Sequence, residues 1–457
     1  MLTRDQHAPP SPAPYLRVGT ATVGVSRGAE RIYLQGAYLA RARFEPAARI
    51  QAEFTPGRVR IRLVPDGPRA VCAKHRAGAT VPVIDLHTAQ LRAAFGSATT
   101  VRVRVTEGEI DISLERTARK RLSRCRNGAA GSLCSGAGLL DEAAGQAGFT
   151  PGWAVEVSDR YAALYEANHR GATMFNQSVS DVDMEDLPPV ELLVSGLDCR
   201  PWSRKLMTLP GTGERRAPDT PREAHPSSDL VFWLLKAADA LNPAYVLVEQ
   251  VPLFLKSAAA YLLAGALTRM GYHVESKVLS PADYGYLGDR PRAVVAATSD
   301  PAPIRWPTPG AGRPRLADIM DAPAATADLF FTRDTKRWFF HHRETQTARG
   351  NGFAGRVLFP ETDRVPTLTR RYFAGQGDNF VIGDHARPGE YRWMTLGEAR
   401  RLFAVPAHYD LGRSRAVAGE ALGQGVHVDL FRRVIAAVTG RPGADSPEPG
   451  PSSLTGA

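Results

Sequence analysis

Cys199 follows the apolar run Leu192-Leu193-Val194-Ser195-Gly196-Leu197, which reads as a short strand ending at a glycine. The loop after it carries Asp198-Cys199-Arg200-Pro201-Trp202-Ser203. A rigid strand that hands a side chain to an exposed loop is a common setting for a nucleophile. A single Cys there is a candidate. Taken alone, the stretch favours a plainer reading, a small buried hydrophobe. Two further side chains change the balance. Glu249 ends the apolar run Tyr245-Val246-Leu247-Val248, and Arg292 stands in Asp289-Arg290-Pro291-Arg292, just before another apolar run. With Cys199, both are expected at strand carboxyl ends or just beyond them, the edge where open α/β sheets bind ligands.

A second constellation lies upstream. Ser135-Gly136-Ala137-Gly138 ends one apolar run and opens a helical pattern, so a ligand can approach the backbone closely. Glu156 stands twenty residues beyond Gly136, where an acid can bind a ribose diol. No Lys-Ser/Thr pair follows the glycines, which argues against a phosphate-cradling loop. A nucleoside without a large phosphate group fits, and S-adenosylmethionine is one. Asp181 ends the next element, Val179-Ser180-Asp181-Val182.

A thiolate, a carboxylic acid and a guanidinium beside a nucleoside cofactor suit one reaction well. Cytosine is unreactive at carbon 5 until something adds to carbon 6. A thiolate can add there while an acid at N3 keeps negative charge from building up. Carbon 5 then accepts a methyl group, and loss of its proton with expulsion of the thiolate restores the ring. A nearby guanidinium favours the thiolate form.

These groups need a scaffold. From about residue 131 strands alternate with helices, which predicts a parallel sheet. Residues 300–390 break the rhythm with prolines and aromatics, and the pattern resumes at Met394. Residues 19–120 are different. Arg31-Ile32-Tyr33-Leu34 and its sequel recur as Val83-Ile84-Asp85-Leu86 at an offset of 52 residues, then 51 after Leu91. Each copy reads as strand, short helix and hairpin, turned at Pro56-Gly57 or Glu107-Gly108. Neither copy can bury its apolar face alone, so the two should pair. Arg58, Arg60, Arg62, Arg102 and Arg104 alternate along the hairpins. They suit phosphate contact and the solvated face of a sheet equally. The basic stretch 121–130 reads as a linker, and residues 1–18 and 441–457 read as disordered.

Composition narrows the class. Net charge is +10, carried mostly by arginine, which fits a nucleic-acid partner and equally fits solubility in an Arg-rich proteome. The four cysteines have no CxxC spacing, so neither a zinc site nor a disulfide framework is expected, and no metal is assigned. Without a long apolar run or a signal peptide, a cytoplasmic protein is expected.

The order of these pieces resembles the cytosine-5 DNA methyltransferase family over about residues 131–440. Ser135-Gly136-Ala137-Gly138 matches its cofactor loop, Glu156 its ribose-binding acid, and Asp181 the residue that meets the adenine amino group. Asp198-Cys199-Arg200-Pro201-Trp202-Ser203 matches the Pro-Cys-Gln-Pro-Phe-Ser nucleophile loop, and Glu249-Gln250-Val251 matches Glu-Asn-Val. Asp283-Tyr284-Gly285 with Asp289-Arg290-Pro291-Arg292, Pro366 to Tyr372, Arg392 to Ala399, and Gly423-Gln424-Gly425-Val426 match the later motifs. The resemblance implies a Rossmann-like α/β sheet binding S-adenosylmethionine through residues 135–138, Glu156, Asp181, Val182 and Gln424. It implies catalysis by Cys199, Glu249, Arg290 and Arg292 on a cytosine flipped out of double-stranded DNA. The implied catalytic domain is 131–299 plus 391–440, with a target-recognition domain at 300–390. The repeat at 19–120 resembles AbrB-like, SymE-like swapped-hairpin modules. A monomer with a restriction–modification role, and a cognate restriction endonuclease as partner, is expected. The alternatives are a catalytically weak DNA-binding regulator and an RNA cytosine methyltransferase. Asp198, Gln250 and Gln424 depart from the family pattern, as do Cys134 and Val157 in place of aromatics. Asp198 is expected to raise the Cys199 pKa if close and unscreened.

Overall fold

The computed structural model describes residues 14–76, 79–203, 225–310, 312–350, 354–374 and 379–443. The chain divides into two compact units, before and after the Ser123–Arg124 bond.

The first unit is a nine-stranded antiparallel sheet curled around one apolar core. Each repeat copy supplies a strand (Ala29–Gln35 or Ala79–His87), a short helix (Ala37–Arg41 or Gln90–Phe95) and a hairpin. The hairpins are Arg49–Thr55 with Arg58–Leu63, and Thr100–Thr106 with Glu109–Leu114. The copies pair with each other twice. In one ladder Tyr33 faces Asp85, and in the other Arg60 faces Asp111. Each of these residues meets its own counterpart in the other copy, which is what a two-fold relation requires. The turns are exchanged as well. The Gly57 amide donates to the Ala94 carbonyl of the second copy's helix, 2.7 Å, and the Gly108 amide donates to Ala42 in the first, 3.0 Å.

One strand was not expected. Arg17–Ser26 joins the two halves, pairing with Thr100–Thr106 on one side and Ala29–Gln35 on the other. It begins inside the segment expected to be disordered, because its small and β-branched residues carry a weak apolar signal. The alternating arginines are mostly paired with acids: Arg58 with Asp111, Arg60 and Arg62 with Glu109, and Arg104 with Asp111. That favours a solvated sheet face over phosphate contact.

The second unit is built on a seven-stranded sheet. In spatial order its strands are Thr173–Phe175, Thr150–Val155, Ala129–Leu133, Leu192–Gly196, Tyr245–Gln250, Arg292–Thr298 and His273–Leu279. Helices Leu139–Gln146 and Val428–Thr439 contribute to the core on one face, and Leu230–Leu241 and Ala258–Arg269 to the core on the other. The first five strands are parallel, as expected. Arg292–Thr298 runs antiparallel to both neighbours. The link before it, residues 280–291, holds a 3-10 turn and a two-residue strand but no α-helix to carry the chain back across the sheet face, as a parallel connection usually requires.

Two segments expected to be loose are anchored. Arg124, in the expected linker, donates to the Asn242 side chain, to the Tyr272 hydroxyl at 2.8 Å and to the Met270 carbonyl at 2.7 Å. Its guanidinium lies 3.7 Å from the Tyr272 ring centre. Arg441, in the expected tail, stacks 3.6 Å over Phe149 and donates to Gly148. Residues 1–13 and 444–457 lie outside the described residues. No helix among the described residues is long and apolar enough to cross a membrane.

Residues 300–390 hold a four-stranded sheet (Phe331–Thr332, Arg387–Arg392, Phe380–Asp384, Arg356–Leu358) and the helix Arg337–Ala348. Phe339, Phe340 and Val381 form its small core. The last strand runs to Arg392, past the expected boundary at 390, and Arg392 then forms a fully buried bidentate pair with Glu398 at 2.8 and 2.6 Å. Glu398 also accepts the Thr395 and Asp321 amides, so it both caps the helix Leu396–Leu402 and holds the strand. Arg392→Met would leave Glu398 buried without its cation. A loss of about 3–5 kcal/mol is expected, read as a fall in the denaturant midpoint.

Candidate active site

The strand order reverses between Ala129–Leu133 and Leu192–Gly196, because the chain builds outward on one side of Ala129–Leu133 and then returns to its other side. Loops at the carboxyl ends of two such strands diverge and leave a crevice. The Ser135–Gly138 loop leaves the first strand and the Cys199 loop leaves the second. Glu249 pairs in register with Gly196 on the adjacent strand. Arg292 reaches the same edge from the opposite direction. It opens an antiparallel strand, so its amino end lies beside the carboxyl ends of its neighbours. The expectation of Arg292 at a strand carboxyl end is corrected accordingly.

The cofactor loop is shaped by two left-handed glycines, Gly136 at φ +57° and Gly138 at φ +85°. A side chain at Gly136 would meet nothing within 4 Å, so this glycine leaves open space in front of the backbone. A Cβ at Gly138 would come within 2.6 Å of the His169 ring and 2.9 Å of Tyr165. The Ser135 hydroxyl is buried and has no partner among the described residues. Glu156 is buried and accepts the Gly136 and Ser158 amides at 2.8 and 2.9 Å. Burial raises its pKa against the pull of those amides. Val157, beside it, is 68% exposed, an apolar surface in the open. Asp181 is exposed and Val182 buried after the 3-10 turn Val179–Asp181. Gln424 donates to the Tyr161 hydroxyl at 3.0 Å, on the helix that starts just after Glu156. An open glycine turn, an orphaned hydroxyl, an acid at the next strand end and a bare apolar side chain fit an adenosine-type cofactor.

Two supports behind this loop carry no sequence signal. The Tyr409 hydroxyl donates to the Ala137 carbonyl at 2.5 Å, and the His169 Nε2–H donates to Gly138 at 3.1 Å. Beneath them Tyr165 donates to Asp141 at 3.0 Å. Asp141 is completely buried, and burial pushes its pKa up to about 7. The folded state therefore holds a proton that the unfolded chain has lost above its ordinary carboxyl value. This contribution to stability is full below about pH 4 and is lost as pH rises through about 7. Asp141→Asn keeps an acceptor for Tyr165 and carries no charge. It should raise stability by about 2–4 kcal/mol at pH 8 and by much less at pH 5, read from melts at the two pH values.

At the reacting end, Glu249 is buried and receives the Arg292 Nε–H at 2.7 Å. Burial raises the Glu249 pKa, while Arg292 and Arg290 oppose it. Cys199 is solvent-exposed at the mouth of the loop, but enough protein surrounds it that desolvation pushes its thiol up. Arg292 and Arg290 pull the thiol down, and Asp198 and Glu249 push it further up. The four expected catalytic residues thus form one electrostatic cluster. Arg290 differs from expectation in its bonds: it is buried and donates to the carbonyls of Leu368, Gly423 and Gly425 at 3.1, 2.6 and 3.3 Å. It ties Leu368, within residues 300–390, to the end of the helix Arg415–Gln424, and its field reaches the thiol. Cys134 is the other thiol near the crevice. Burial, with Glu156 and Asp198, pushes it up to about 12, so it stays protonated.

Gln250 is buried and spans two bonds, donating to the Leu197 carbonyl at 2.6 Å and accepting the Val251 amide at 2.7 Å. It fastens the Cys199 loop to the strand that carries Glu249. Trp202, fully buried, anchors the loop's far end edge-on to Phe254.

This sheet, with an open glycine turn and a buried acid at its switch point, fits the S-adenosylmethionine-dependent α/β methyltransferase class. Residues 129–440 match the family described as C-5 cytosine-specific DNA methylase, and the chain belongs to that family. It is a DNA cytosine-5 methyltransferase that uses S-adenosylmethionine. Among its relatives are the Type II methyltransferases M.NlaX of Neisseria lactamica and M1.ScrFI of Lactococcus lactis subsp. cremoris. The first is 26% identical over 284 residues, 60% of this chain and 84% of the relative. The second is 22% identical over 266 residues, 56% of this chain and 64% of the relative. Two solved structures share the fold. The S. pombe Dnmt2 methyltransferase has a TM-score of 0.53 at 18% identity, covering 68% of this chain and 98% of that one. The Entamoeba histolytica methyltransferase EhMeth has a TM-score of 0.55 at 13% identity, covering 69% and 99%.

Proposed function

We propose that the chain is a modification enzyme of the Type II kind, methylating carbon 5 of a cytosine within a fixed duplex sequence. The observation that carries the reading is the meeting of Cys199, Glu249 and Arg292 at the switch point, beside an open glycine turn. Ser135 to Gly138, Glu156, Asp181, Val182 and Gln424 would hold the cofactor. Bound there, S-adenosylmethionine supplies an electrophilic methyl group. The Cys199 thiolate adds to carbon 6 of the flipped cytosine. Glu249 gives a proton or hydrogen bond to N3, so the ring nitrogen takes up the incoming charge. Arg292 aims the Glu249 carboxyl and favours the thiolate. After carbon 5 has gained its methyl group its proton passes to water, the electron pair of that C–H bond re-forms the carbon 5–carbon 6 double bond, and the thiolate leaves.

The insert at 300–390 would read the target sequence from the major groove. The exchanged hairpin turns of the N-terminal unit support kinship with AbrB-like modules, and that unit would act as an accessory domain. A cytoplasmic monomer working beside a cognate restriction endonuclease completes the reading. Genome-wide mapping of 5-methylcytosine in a host expressing the protein tests it. A single fully methylated motif is expected. No mark on DNA, or a mark on RNA alone, would overturn it in favour of a regulator or an RNA enzyme.

A further inference from the structure

The residue before the nucleophile is an aspartate, and its carboxylate is fully engaged. Oδ1 accepts the Arg200 amide at 3.1 Å. Oδ2 accepts the Arg200 Nε–H and the Ser227 hydroxyl, each at 2.6 Å. Ser227 lies in the turn Pro226–Asp229 that starts the helix Leu230–Leu241. Asp198 therefore bridges the near end of the nucleophile loop to a helix start about thirty residues further along the chain. The rest of the loop is pinned independently. Gln250 holds Leu197 from below, the Trp202 amide closes a turn onto the Cys199 carbonyl at 3.0 Å, and the Trp202 ring is buried.

We propose that Asp198 is a positioning residue, its carboxylate clamped by Ser227 and Arg200 so that the loop presents Cys199 at a fixed height over the crevice. This rests on Cys199 being the nucleophile. A proline at this point would stiffen the loop through its ring, with no charge. Here three donors stiffen it through one carboxylate, and the cationic Arg200 among them partly compensates its charge. The charged groups whose fields act on the thiol are Asp198 from its own loop, Glu249 from the strand Tyr245–Gln250, Arg292 from the strand Arg292–Thr298, and Arg290. Asp198 is the member whose negative charge is compensated by the clamp. Losing a donor should expose the thiol to more negative charge, and neutralising the carboxylate should expose it to less.

Single-turnover methylation of a duplex substrate, followed against pH, tests this with Ser227→Ala, Asp198→Asn and Asp198→Pro. Ser227→Ala should lower the plateau rate about threefold to tenfold with KM for DNA unchanged, and should move the rising limb toward higher pH. Asp198→Asn keeps one acceptor oxygen, enough for Ser227 and the Arg200 side chain, but gives up the bond from the Arg200 amide and carries no charge, so its limb should move toward lower pH. Asp198→Pro should be slower than the native chain, because the Ser227 bond is lost. Limbs that stay in place with plateaus within about twofold would overturn the proposal. So would a faster Asp198→Pro enzyme. Thermal melts identify any variant that fails to fold, and the Asn variant, nearly isosteric, then decides. If Cys199→Ala abolishes activity while the clamp variants behave like the native chain, the clamp fails and the nucleophile stands.

Discussion

Cys199→Ala should abolish methylation, with a loss of about 10⁴-fold or more in the single-turnover rate. The argument is chemical. Carbon 5 of cytosine gains its nucleophilic character from addition at carbon 6, and Cys199 is the thiol placed to add. Cys134, the other thiol near the crevice, is held protonated by burial and cannot substitute. The side chain of Cys199 is exposed and packs into no core, so the variant should melt within about 1 kcal/mol of the native chain. Binding of DNA and of S-adenosylmethionine should persist. A variant that lost rate and binding together would point to a positioning role for the residue.

Glu249→Gln should lower the rate about 10²- to 10⁴-fold while leaving the fold intact. The glutamine amide can still accept from Arg292 and can donate a hydrogen bond toward N3, but it cannot give up a proton. Native activity should depend on pH through the coupled cluster rather than through one residue. Burial raises the Glu249 pKa, so the carboxyl keeps its proton to higher pH than an ordinary glutamate. Activity that needs this proton falls as pH rises through the raised pKa. In Glu249→Gln that fall should vanish, leaving only the rise due to the thiol. A pH–rate profile on each protein reads both effects. An unchanged falling limb in the variant would assign the proton to another group.

The parts of this site visible in the sequence are those fixed by local patterning. Leu192–Gly196 and Tyr245–Gln250 are short apolar runs ended by Gly and by an acid, and both fold as strands of the central sheet. Ser135–Gly138 shows as a glycine turn between periodic segments. The repeat of residues 19–120 was visible because its two copies keep the same alternation, and the ladders through Tyr33–Asp85 and Arg60–Asp111 follow from it. The direction of Arg292–Thr298 was hidden, since an apolar run looks the same in either sense and only the link before it, which lacks an α-helix, decides. Tyr409, His169 and Ser227 were hidden because their partners lie 272, 31 and 29 residues away, with no periodicity to connect them. Arg290 and Arg292 sit two apart in one motif, yet one clamps backbone carbonyls and the other aims the acid. That division depends on which way each side chain leaves the chain. The basic run around Arg124 looked like a linker because its partners, Asn242, Met270 and Tyr272, come from distant helix ends.

The central claim is that the Cys199 sulfur bonds to carbon 6 of the target cytosine. A duplex carrying 5-fluorocytosine at the mapped target site should arrest the reaction after methyl transfer, because fluorine cannot leave as the proton does. With S-adenosylmethionine present, mass spectrometry of the digested complex should find the methylated fluorocytosine attached to the peptide containing Cys199. Attachment at Cys134, or turnover on ordinary cytosine with no trapped species on the fluorinated duplex, would contradict the account.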